Sequence, residues 1–193
     1  VKSQVSLSKA GNNLTTTTTA SSASDVYDVS DIVTNCMPSV VSITNVGTQE
    51  FQTIFGNYEQ NTQSSGSGII IGKNDTELLI VTNNHVVSGA KELSVYFNSD
   101  GDAADDSNVI SAKIKGTDPN KDLAVIAVKL SDIPDETMEE IKIAQLGSSD
   151  DLVVGEQVVA IGNALGYGQT VTSGWVSALD RTVQSDSNTY EEL

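Results

Sequence analysis

Histidine and cysteine are almost missing from this 193-residue sequence, which holds one of each, His85 and Cys36. A lone thiol makes no disulfide within the chain, and one thiol with one imidazole makes no closed Cys/His zinc site. Stability must come from packing, and any imidazole acid–base step performed by this chain falls to His85. Positive charge is scarce too: 10 Lys+Arg against 26 Asp+Glu leave a net charge of −16. Phosphate groups are bound through Lys and Arg, so nucleic acid and anionic membrane surfaces are set aside as direct partners. Aromatic residues are 5% of a chain that is 38% hydrophobic, which predicts a core of Val, Ile, Leu and Ala. Long apolar runs are absent as well. Gly68-Ile69-Ile70-Ile71 and Leu78-Leu79-Ile80-Val81 stop far short of the roughly 18 residues a membrane helix requires, and no signal segment is visible. The first residue is Val1, which suggests that upstream sequence has been removed.

What is there begins with polar residues. Residues 1–28 are rich in Ser, Thr, Asn and Ala, including the threonines Thr15 to Thr19, and read as a disordered linker. Ser30-Asp31 then offers a polar cap to a short helix with Ile32, Val33, Cys36 and Met37 at helical spacing, ended by Pro38 and expected to pack on the strands after it. Six short strands come next: Val40–Val46, Ile69–Gly72, Leu78–Thr82, Glu92–Phe97, Ile110–Lys115 and Asp122–Val128. The fourth and fifth alternate apolar and polar residues, with Ile110, Ala112 and Ile114 on one face; the sixth is apolar almost throughout, as in a strand buried on both faces. With no helix long enough for a crossover, the pattern predicts an all-β antiparallel barrel or sandwich over residues 29–131, helix included. Residues 132–193 read as an acidic connector followed by a partial second unit. Its strands are expected at Leu152–Gly155, Gln157–Ile161 and Thr170–Leu179, too few to close a barrel. Trp175 is expected between strands, although an aromatic residue can also line a substrate groove.

Two residues could carry chemistry. His85 follows the strand ending at Thr82 and two turn-formers, Asn83-Asn84; taken alone it also fits a surface or structural histidine. Asp122 opens an apolar strand, where a carboxylate is costly to bury without donors; taken alone it also fits a turn cap after Pro119. The acidic stretches Asn98–Asp106 and Asp118–Asp122 resemble the start of a calcium loop. The first has Ala103 at the glycine position and Val109 at the glutamate position, and the second fails at Leu123. No metal or other cofactor is expected. Gly162-Asn163-Ala164-Leu165-Gly166 lacks the Lys-Ser/Thr of a phosphate loop and reads as a strand-ending turn.

Five segments in order, Ser65–Ile71, Thr82–Val87, Asp122–Ile126, Val158–Gly166 and Val171–Arg181, resemble the HtrA (Deg, DegP-like) family of trypsin-like serine proteases. The resemblance implies the chymotrypsin-like double β-barrel, its first barrel complete here and its second incomplete, with His85 as general base and Asp122 as its orienting carboxylate. It also implies an endopeptidase of the bacterial envelope that cleaves unfolded or misfolded polypeptides in protein quality control. A membrane anchor upstream of the linker and a homo-oligomer, trimers being common in the family, belong to the same expectation. One departure is plain. The family's Gly-Asn-Ser-Gly-Gly nucleophile motif does not occur in these residues, and Ser65, Ser67 and Ser173 are not credible substitutes. The chain is therefore expected to be inactive alone, as a piece truncated before its nucleophile. Subtracting the linker leaves 193 − 28 = 165 residues, short of the roughly 200 that two closed barrels need. The other reading is a non-catalytic binding or structural protein derived from a protease barrel.

Overall fold

The computed structural model describes residues 28–53, 56–97, 109–162, 170–181, 183–184 and 189–190. Six strands, β1 (Val40–Thr53), β2 (Gly56–Lys73), β3 (Glu77–Thr82), β4 (Ala90–Phe97), β5 (Val109–Asp118) and β6 (Leu123–Lys129), form a closed barrel in the order β1-β2-β3-β6-β5-β4. Every neighbouring pair is antiparallel, including the closing pair β1–β4. Closure leaves the barrel no open edge. The six strands expected from the sequence are these six, and the all-β architecture of one closed barrel with a small second sheet region holds.

The interior follows from period-two alternation. Leu78 and Ile80 on β3, Leu93, Val95 and Phe97 on β4, and Ala124, Ile126 and Val128 on β6 point inward and are buried, joined by Val41, Ile43 and Ile70. Each Val, Leu, Ile or Phe among them contributes about 1.5–3 kcal/mol when fully removed from water. Two expected patterns fail in detail. Ile114 is 44% exposed although it lies opposite the buried Ile126, at the point where the β5–β6 register shifts before Gly116. β6 is buried along one face, while the other is mixed: Ala127 is buried, Val125 half-buried and Leu123 45% exposed.

Helix α1 (Ser30–Cys36) forms, but it buries none of its residues, and Ile32 and Cys36 are exposed. The expected packing of its apolar face is only partial, with Val33 and Met37 half-buried. Its entry is held differently as well: Val29 is the cap, while the Ser30 N–H and hydroxyl both donate to Asp28, which holds that carboxyl below its ordinary range. The linker reading for residues 1–28 lies, Asp28 apart, outside the described residues, as does the acidic stretch Asn98–Asp106.

After β6 the chain is strapped across the barrel. Ile133 is buried, and Leu130, Met138 and Ile141 pack on the core around helix α3 (Asp135–Glu140). The Lys142 N–H donates to the Pro38 carbonyl at 3.1 Å and that of Ala144 to Ile70 at 2.8 Å. Beyond lies an antiparallel pair, β7 (Gln157–Gly162) and β8 (Thr170–Trp175), and a shorter one, β9 (Val183–Gln184) and β10 (Thr189–Tyr190). The strand expected at Leu152–Gly155 does not form. The chain turns there with Gly155 at φ 91°, and the Val153 N–H donates to the Glu156 carboxylate. Val153, Val154 and Trp175 are more than half exposed, so Trp175 is not packed between strands. Gly162 ends β7 against β2; a Cβ there would come within 2.8 Å of the Ser67 hydroxyl.

No helix among the described residues is long and apolar enough to cross a membrane.

Candidate active site

Antiparallel pairing makes the site. β3 runs toward Thr82 while β6 starts at Leu123, and the register places Thr82 opposite Ala124. The residues just past one strand therefore meet the residue just before the other, although His85 and Asp122 are 37 positions apart. Thr82 is fixed further by its hydroxyl, which donates to the Ser67 carbonyl at 2.7 Å.

Asp122 lies in a tight turn built by its neighbours. The Asp118 carboxylate accepts from the Asn120 and Lys121 N–H groups, and the Asp122 N–H donates to the Pro119 carbonyl. Asp122 itself has φ 51°, a left-handed conformation that aspartate tolerates better than most residues. The kink turns both its polar groups toward α2 (Asn84–Val87). Its carbonyl accepts the Asn84 N–H at 3.0 Å and the Asn83 side-chain amide at 3.0 Å. Its carboxylate is shared out over one residue: Oδ1 accepts the His85 N–H at 2.8 Å, and Oδ2 lies 2.6 Å from His85 Nδ1.

The protonation pattern follows from the acceptor. An ionised carboxylate has no proton to give, so Nδ1 carries the hydrogen and Nε2 keeps a free lone pair. The Asp122 side chain is 18% exposed and that of His85 71%. Burial raises the Asp122 carboxyl pKa, but the His85 backbone and ring hydrogen bonds, attraction to the charged imidazole and the nearby Asn83 amide outweigh it and hold the group below its ordinary value. A carboxyl with a depressed folded-state pKa adds stability that is complete above its unfolded pKa and fades as pH falls through the folded one. The difference in melting temperature between the chain and Asp122→Ala should accordingly shrink as pH drops from about 6 to about 3. A gap that grows with acidification would contradict the pairing.

The two residues selected from the sequence are thus brought together, and the arrangement can accept a proton at Nε2 while the carboxylate balances the charge that forms. Among the described residues, no serine, threonine or cysteine side chain is hydrogen-bonded to the imidazole, and no cluster of three His, Cys, Asp or Glu could hold a metal. Sequence reading passed over Gly66 and Asn45. Gly66 on β2 is buried under Val86, and a Cβ there would lie 2.5 and 2.8 Å from the two Val86 methyls. Val86 is 4% exposed and has nowhere to go. Gly66→Ala should cost about 1–3 kcal/mol and displace α2; urea unfolding measures the first, and an unchanged midpoint would show that Val86 yields freely. Asn45 could have been found as the polar member of the inward row Val41, Ile43, Asn45.

Comparison with known proteins places the chain. Residues 66–192 match the family model for the trypsin-like peptidase domain. The chain is similar to a serine protease Do-like HtrA of Bacillus subtilis, 36% identical over 176 residues, covering 88% of this chain and 36% of that protein. It is also similar to a probable periplasmic serine endoprotease, DegP-like, of Hahella chejuensis, 35% identical over 189 residues with 86% and 36% covered. Among solved structures, an HtrA-type protease AlgW with a decapeptide superimposes with a TM-score of 0.60 at 29% identity, covering 86% of this chain and 50% of that one. The chain spans about a third of the length of these curated relatives and half of that solved structure.

Proposed function

The chain belongs to the HtrA/DegP-like family of trypsin-like serine proteases, and from that premise we propose that residues 29–131 are the base-bearing half of a serine endopeptidase. His85 is its general base and Asp122 its orienting carboxylate, with residues 132–193 opening the second half of the protease domain. The single observation that carries this reading is the 2.6 Å contact between His85 Nδ1 and Asp122 Oδ2, which leaves Nε2 free on an exposed ring. In the full-length product Nε2 takes the proton of a serine hydroxyl as its oxygen attacks a peptide carbonyl. The imidazolium then returns that proton to the leaving amine as the C–N bond breaks, and water releases the acyl group in the same manner. Asp122 holds the ring and offsets its charge in both halves.

Substrates on this reading are unfolded or misfolded polypeptides, cleaved in protein quality control. Support comes from the AlgW structures determined with a decapeptide and with a tripeptide. Relatives named as periplasmic proteases favour an extracytoplasmic location in the bacterial envelope, with a membrane anchor and a trimeric assembly as further parts of the proposal. A second reading, a non-catalytic protein on a protease barrel, draws on the lack of Gly-Asn-Ser-Gly-Gly among these residues. The two are separated by incubating an unfolded protein with these 193 residues and, in parallel, with the product of the complete gene. Cleavage by the complete product alone is expected. No cleavage by either favours the second reading, and cleavage by the 193 residues would mean that the nucleophile is among them.

A further inference from the structure

α2 is a single turn of four residues, far below the roughly 12–15 at which a helix begins to hold itself in water. Its shape is imposed from outside. At the front, Asp122 accepts the N–H groups of Asn84 and His85. At the back stands Asn45 of β1, whose side-chain Nδ2 donates to the Val86 carbonyl at 2.9 Å and the Ser88 carbonyl at 3.1 Å. Carbonyls at the end of a helical turn have no partner within it, and a single amide satisfies two of them.

Both acceptors are carbonyls, so the amide cannot be turned over: its nitrogen must face α2, and Oδ1 must face the barrel interior. There Oδ1 finds nothing. It is the one buried side-chain polar atom without a hydrogen-bond partner among the described residues, on a side chain 4% exposed. Such an unpaired acceptor costs on the order of 1–3 kcal/mol. In an inward row of Val41 and Ile43 an aliphatic residue would avoid that cost, so the barrel alone gives no reason for asparagine here.

We propose that Asn45 is a positioning residue for the His85–Asp122 pair. Its amide ties the rear of α2 to the barrel wall, so that the turn is gripped at both ends and cannot swing about its contacts with Asp122. The inference rests on the reading of His85 as the base for its functional meaning, while its mechanical content is measurable without turnover.

The sole imidazole makes the test direct. In the nitrogen-15-labelled 193-residue chain the Hδ1 proton of His85 is read without interference. In Asn45→Leu the barrel should remain folded by circular dichroism, while Hδ1 exchanges with water about tenfold faster, as loss of hydrogen bonds that restrain the turn implies. Val95→Ala, which weakens the same barrel from β4, should leave that exchange at the parent rate. No acceleration in folded Asn45→Leu, or equal acceleration in both variants, overturns the proposal. If Asn45→Leu does not fold, Asn45→Ser takes its place: faster exchange supports the role, and parent-like exchange overturns it. Either result stands whether or not the complete product cleaves peptides, so failure of this inference and failure of the protease reading are distinct outcomes.

Discussion

Asp122→Asn in the full-length product should lower kcat by about 10⁴-fold with the barrel still folded. The reason lies in how the carboxylate is divided. Oδ1 is committed to the His85 N–H and Oδ2 to Nδ1, so the native group faces two donors with two acceptors. Asparagine has one acceptor and one donor to set in the same places. The backbone N–H cannot become an acceptor, whereas the ring can change tautomer. The amide oxygen therefore goes to the backbone and the NH₂ to Nδ1, which must give up its hydrogen. The proton then sits on Nε2, where the lone pair was needed, and a neutral imidazole protonated there cannot take a proton from serine. Nitrogen chemical shifts of the single imidazole report the tautomer in the 193-residue chain, and single-turnover kinetics report the rate in the full-length product. A native tautomer with native kcat would show that Asp122 does not set the ring.

His85→Ala should be more severe for catalysis, about 10⁶-fold in kcat, and nearly silent for stability. No second imidazole exists in these residues to take over. The side chain is 71% exposed, so its removal takes little packing from the barrel. The backbone N–H of residue 85 still donates to Oδ1, and α2 keeps its two buried valines, Val86 and Val87. Thermal unfolding is expected to shift by no more than a few degrees while peptide hydrolysis disappears. Hydrolysis persisting above about one per cent of the parent rate, against the loss expected of a triad member, would place the base elsewhere.

How much of this was written in the sequence depends on which force decides each element. β3 and β4 are set by alternation, and their inward rows can be counted from Leu78, Ile80, Leu93, Val95 and Phe97. The candidate pair was legible through resemblance, in the segments Thr82–Val87 and Asp122–Ile126, and His85 and Asp122 do meet. The reach of β1 beyond Val46 and of β2 before Gly66 was not. Those stretches carry no hydrophobic alternation, and what makes them strands is backbone pairing with each other, from Gly47 opposite Thr62 to Thr53 opposite Gly56. Val153 and Val154 show the opposite error. β-branched side chains suggested a strand, while the left-handed Gly155 and the Glu156 carboxylate fold the segment into a turn. The position of Asn45 was detectable as polarity in an inward row, but its task was not, because the two carbonyls it serves are 41 and 43 residues away.

The junction of β3 and β6 has one more consequence. Among the described residues, the hydrogen bonds that orient the imidazole all come from positions preceding Lys129, where the barrel's last strand ends. All the groups that orient the imidazole are therefore synthesised before the strap that covers the barrel and before the β7–β8 pair. On the protease reading, this half holds a proton acceptor that does no chemistry until a hydroxyl is brought to it.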